Sequence, residues 1–202
     1  MPYSQFSLEK VQQDFSVTIQ EKVGLFAEVP EVQYSDFLAE TLKYNIPLAL
    51  AIATEKVKSE AIILPILIEI KKQLQDQVSI FSGKEFNVNA QKGLTGFCDF
   101  LISNSPSQLI IEAPVTILVE VKNDNLNSGL GQCMAEMIAA QMFNEARGKN
   151  ITTIYGSVTT GSLWQFMRLT DKSIEVDLDE YFLKNLEKIL GILRSFLTSV
   201  SS

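Results

Sequence analysis

The chain has 202 residues, 46% of them hydrophobic and 20% charged, which suits one domain with a sizeable core and does not fit a disordered chain. Its 24 acidic against 17 basic residues give a formal charge of −7, which speaks against a protein whose main task is neutralising phosphates. It contains no histidine. Ser-His-Asp hydrolysis, Cys-His proteolysis and His-rich zinc sites are therefore closed to it, and any chemistry must use carboxylates, lysine, hydroxyls, amides or a hard metal bound by oxygen.

In chain order, the start MPYSQFSLEK lacks a basic region followed by an apolar core, so no signal peptide is expected. Residues 7–14 suit a short helix, and 15–21 alternate like a strand. Ser35 is a good N-cap for a helix to Tyr44, which Pro47 is expected to end. Residues 48–77 read as helical, with Pro65 kinking or dividing them. The apolar run 61–68 inside this stretch is too short to span a bilayer, so the expectation is a soluble, cytoplasmic protein with no membrane partner.

Residues 83–90 and 97–103 read as strands separated by the turn KGLTG. Residues 116–122, TILVEVK, form the clearest strand, β-branched and apolar with charge only at its end. A loop at 123–129 leads to a helix over 131–146. Strands at 151–158, 162–170 and 173–178 follow, then a closing helix from 179 to about 198. With no repeat or linker, residues 1–202 are read as a single α/β domain, a mixed central sheet flanked by helices. The distant Cys98 and Cys133 fit no metal-ligand spacing and are expected to be buried thiols rather than a disulfide.

The candidate chemistry sits at 99–122. Glu120 and Lys122, two apart on a strand, project from one face. Such a pair can be a strand-end salt bridge. Asp99, the lone carboxylate of an apolar strand, changes the picture if the two strands are neighbours, for it then converges on Glu120. Two carboxylates brought together repel unless a cation lies between them, and oxygen ligands select Mg²⁺ or Mn²⁺. Lys122 can then hold an attacking water or offset charge on a phosphate.

The segments G-F-C-D-F and T-I-L-V-E-V-K resemble the D…(D/E)-x-K signature of the PD-(D/E)XK nuclease superfamily. The element order over roughly residues 50–170 is similar to its restriction-endonuclease-like fold, with residues 1–47 accessory. The chain as a whole resembles a bacterial branch of that superfamily. One departure is Cys98 where the signature has proline. The resemblance implies a metal-dependent phosphodiester hydrolase, most simply a deoxyribonuclease acting on DNA as a homodimer. Asp99 and Glu120 would be metal ligands and Lys122 the catalytic lysine.

The same comparison suggests Glu60 as a further metal ligand from the first core helix, the alternative being a solvated charge beside Lys56. It suggests Gln132 as a further catalytic residue, the alternative being a hydrogen bond to Glu136 one turn on. Gly129-x-Gly131 lacks the remaining features of a nucleotide-binding loop and reads as a loop turn before the helix. Trp164 is expected to pack on the sheet, with base stacking open to it only if exposed. The rival function is a nuclease-like fold that is catalytically idle and serves as a binding or regulatory module; the acidic charge favours it.

Overall fold

In the computed structural model, which describes residues 2–199, the chain forms an open mixed eight-stranded sheet flanked by helices. After helix α1 (Leu8–Phe15) and strand β1 (Thr18–Lys22) come helices α2 (Asp36–Ile52), α3 (Glu55–Lys58) and α4 (Leu64–Gln73). The meander β2 (Ser79–Glu85), β3 (Phe97–Ser103) and β4 (Val115–Val121) follows, then helix α5 (Asn127–Glu145). Strands β5 (Thr153–Thr159), β6 (Leu163–Thr170), β7 (Ser173–Asp177) and β8 (Tyr181–Phe182) precede the closing helix α6 (Leu186–Thr198).

The sheet order is β1-β7-β6-β5-β4-β3-β2, with β8 pairing to β6. Strands β2, β3 and β4 are antiparallel neighbours, whereas β5 lies parallel to β4 because α5 carries the chain back across the sheet. Every residue of β4 is buried, as its unbroken apolar sequence requires of a strand covered on both faces. One core joins Val11 of α1 and Cys133, Met134 and Met137 of α5 to Leu101 and Leu118. The other joins Leu38, Ile66, Ile189 and Phe196 of α2, α4 and α6 to Phe100, Ile117 and Val119 on the opposite face. No helix among the described residues is long and apolar enough to cross a membrane.

Four expectations need correction. The closing helix does not begin at 179, because Tyr181–Phe182 pair with β6 as β8 and a 3-10 turn, Leu183–Asn185, follows, so α6 starts at Leu186. Helix α2 does not end before Pro47 but runs through it to Ile52, because the proline is on the exposed side while Leu38, Leu42 and Ala49 anchor the helix in the core. Residues 48–77 are not one helical stretch. Ala53 takes a left-handed conformation (φ 57°), Thr54 caps a new helix through its side chain to the Val57 N–H, and a π-helical segment, Ser59–Ile63, leads into α4 with Pro65 in its first turn. The strand placed at 83–90 lies earlier, over Ser79–Glu85, and only isolated backbone pairs, such as Val88 N–H to Leu94 O at 2.9 Å, carry it on.

Candidate metal centre

The end of β4 gathers the charged residues. Strands β3 and β4 pair Phe100 with Val119 and Leu101 with Leu118, so the same register sets Asp99 opposite Glu120. The ladder stops there, and the Asp99 side chain takes over its last bond: Oδ2 accepts the Val121 N–H at 2.8 Å. On the other side Asp99 faces Gly83 of β2, whose positive φ of 56° breaks regular pairing. Strand β3 also switches faces here. Cys98 packs in the α5-side core and Phe100, only two residues on, in the opposite one. The irregularity turns a carboxylate toward the end of β4 instead of into either core.

Glu120 is 2% exposed and Lys122 is partly open. Lys122 Nζ donates to Glu120 Oε1 at 2.5 Å, as their shared face allows, and Lys122 N–H anchors the strand end to Thr159 O at 2.9 Å. Glu120 Oε2 is buried and has no hydrogen-bond partner. Burial, and next to it the charge of Asp99, pushes the Glu120 carboxyl up to about 8 despite Lys122. Burial likewise raises Asp99, opposed by the Val121 N–H and by Lys122. Burial works against the charge on Lys122, but its hydrogen bond to Glu120 and the neighbouring carboxylates outweigh this and raise its pKa.

Gln132 reaches this region from α5, but its partner is Glu136: Nε2 donates to Oε1 at 3.1 Å. The alternative reading of that pair is the one the geometry contains. Glu136 itself is fully buried, with Oε2 unpartnered. Burial, reinforced by Glu120, holds its carboxyl well above the usual range. Cys98 and Cys133 are free and buried, and burial pushes both thiols up. They are inert packing groups.

Glu60 is a correction. Its side chain is 63% exposed and lies 4.0 Å from Lys56, out on the π-helical segment. The carboxylate that α3 brings to the site is Glu55, at the first position of that helix. Its Oε1 accepts the Asn123 N–H at 3.1 Å, and its charge acts on Asp99, Glu120 and Lys122. Lys58, also buried, donates to Asn123 O, so α3 grips both backbone groups of the residue after Lys122. Reading 48–77 as continuous helix hid Glu55; the signal available was Thr54, a good N-cap directly before it.

Gly129 and Gly131 are helical residues, not a loop turn. A Cβ on Gly129 would lie 2.8 Å from Val158 Cγ1 and 3.1 Å from Lys122 Cε, and one on Gly131 would lie 2.3 Å from Phe6 O. The first glycine lets α5 press against the stem of the site lysine, and the second lets it meet the N-terminal backbone. Trp164 is fully buried, stacked with Phe166, which leaves no face for a base.

The donor set suits a hard cation of modest demand. Asp99 and Glu120 offer carboxylate oxygens, one of them buried without a partner. Magnesium commonly takes only one or two protein carboxylates and completes its sphere with water. Among the described residues no group of three or more Asp, Glu, Cys or His side chains is gathered for metal binding, so a closed, all-protein cage is not what this site offers. No protein-family model matches the chain, and no curated protein or solved structure is significantly similar to it.

Proposed function

We propose that the chain is a member of the PD-(D/E)XK superfamily with a restriction-endonuclease-like core, and that it hydrolyses phosphodiester bonds in DNA with Mg²⁺ or Mn²⁺. The observation that carries this reading is Asp99 opposite Glu120, with Glu120 Oε2 buried and unpaired and Lys122 bonded to the other oxygen. The helix, three-strand meander, helix and parallel strand from α4 to β5 support the fold assignment.

Asp99 and Glu120 would hold the cation, which supplies Lewis-acid stabilisation of charge on the phosphate. Asp99 can do so through Oδ1 while Oδ2 stays on the Val121 N–H, which fixes the carboxylate in place. Lys122, partly open to solvent, can hold an attacking water and offset phosphate charge. Its stem is fixed between Glu120 and the close approach of Gly129, so its amine has little freedom to wander.

The test is conversion of supercoiled plasmid to nicked or linear DNA by purified protein with Mg²⁺ or Mn²⁺. Cleavage that disappears in Glu120→Ala and Lys122→Ala supports the reading, and equal cleavage by wild type and both variants overturns it. A catalytically idle binding or regulatory module is the second reading, favoured by the net charge of −7. It predicts no cleavage by any of the three proteins.

A further inference from the structure

Beside the candidate metal centre, the hairpin of β2 and β3 carries an aromatic ring that the fold does not use. Phe97 is 65% exposed and, among the described residues, has no aromatic partner. It stands two residues before Asp99, about 7 Å along the strand. Cys98 between them packs into the α5-side core, so Phe97 points to the opposite face. That is the face on which α3 lies, with Val57 against the core and Glu55 at the site. Across from Asp99 on β2 is Gly83, where a Cβ would meet nothing within 4 Å, so the floor beside the carboxylate is open. Lys84 follows it, exposed and with no ion-pair partner among the described residues. A lone exposed ring is ordinary; one set beside an open floor, a free cation and a carboxylate pair calls for a ligand.

We propose that Phe97, Gly83 and Lys84 form a platform for unpaired DNA. A base stacks on Phe97, the neighbouring phosphate meets Lys84, and the strand presented to Asp99 and Glu120 is single rather than duplex. The inference rests on the nuclease reading above and narrows its substrate.

Charge separates the two kinds of substrate. A duplex is held by lysines and arginines that neutralise its phosphates, commonly roughly six to ten of them. The lysines around this site are mostly engaged: Lys122 is bonded to Glu120, Lys58 to the Asn123 carbonyl, and Lys56 lies 4.0 Å from Glu60. Glu55, Glu85 opposite Phe97, and Asp124 in the loop after β4 add negative charge there, in a chain that carries −7. A single strand asks for fewer cations, because every base offers a face that stacks on an aromatic ring whatever its identity. In a duplex those faces are already stacked on one another, so the exposed ring favours the unpaired strand.

Fluorescence anisotropy of a short labelled DNA strand, alone and annealed to its complement, tests this with the full chain in Ca²⁺, the strand being checked intact on a gel. The wild type is expected to bind the single strand at least about tenfold more tightly than the duplex. Phe97→Ala should weaken single-strand binding about tenfold with an unchanged melting temperature, since the ring is exposed, and Phe97→Trp should restore it. Lys84→Ala should make the fall of log affinity with log salt shallower by about 0.7, the loss of one single-strand phosphate contact. Equal affinity for strand and duplex, binding of neither, a Phe97→Ala variant that binds like wild type, or an unchanged salt slope in Lys84→Ala overturns the inference. Plasmid cleavage that needs Glu120 and Lys122 alongside any of those results leaves the nuclease reading standing. Single-strand binding that needs Phe97, without cleavage by the wild type, overturns the nuclease reading instead and supports the platform in a binding module.

Discussion

Two strand ends in this sheet bury a carboxylate, and they treat it in opposite ways. At the end of β7, Asp177 is fully buried and its bonds are complete. Oδ2 accepts from the Phe26 N–H at 3.3 Å and the Tyr181 O–H at 2.9 Å, and Oδ1 accepts from the Asp179 N–H at 3.1 Å. At the end of β4, Glu120 is as deeply placed, yet one oxygen has only Lys122 and the other has nothing, with Asp99 opposite and Glu136 behind. A buried charge with a full set of donors is a structural fastener. A buried carboxyl short of donors and crowded by its own kind is an arrangement that folding alone would not favour, and under the proposed function it is the place a cation would take.

Substitutions should separate the two ends by sign as well as size. Asp177→Ala leaves the Phe26 N–H and the Tyr181 hydroxyl buried without an acceptor, and should cost about 3 kcal/mol in chemical denaturation. A loss well under 1 kcal/mol would mean that the contrast has been misdrawn. Gly129→Ala drives a methyl into Val158 and the Lys122 stem and should cost about 2 kcal/mol, with Mn²⁺ affinity falling as the lysine shifts. An unchanged affinity would detach that close approach from the site.

Glu120→Gln should move the other way. Burial and the charge of Asp99 push the native carboxyl up to about 8 from the ordinary 4.5, so folding takes up a proton, and the stability this residue contributes is lost as pH rises from about 4.5 through about 8. The metal-free variant, freed of that loss, should be more stable than wild type by about 1 kcal/mol near pH 8, and the gain should vanish toward pH 5. Destabilisation at both pH values would make Glu120 a fastener like Asp177.

The sequence revealed the site more clearly than it revealed the helices around it. Asp99, Glu120 and Lys122 stood out because each interrupts an apolar strand, and strand periodicity fixes which side chains share a face. The strands at 97–103 and 116–122 were legible to within one residue for the same reason. The helical region was harder. Pro47 is tolerated because α2 is anchored elsewhere, and the break at Ala53 rests on a single left-handed residue with no glycine to announce it. That missed break is why Glu60 stood in for Glu55. The roles of Gly129, Gly131 and Glu136 depend on where α5 crosses β4 and β5, a tertiary fact that local pattern does not carry.

The most direct test of the account is Mn²⁺ titration by calorimetry near pH 7, repeated in buffers of different ionisation enthalpy. Wild type should bind the metal and release protons as it does so, because the Glu120 carboxyl, pushed up to about 8 by burial and Asp99, is held largely protonated without it. Asp99→Asn and Glu120→Gln should abolish binding, Glu55→Gln should weaken it, and Glu60→Gln should leave it unchanged. Wild-type binding that survives both Asp99→Asn and Glu120→Gln, or no binding at millimolar Mn²⁺, would contradict a metal centre at the end of β4.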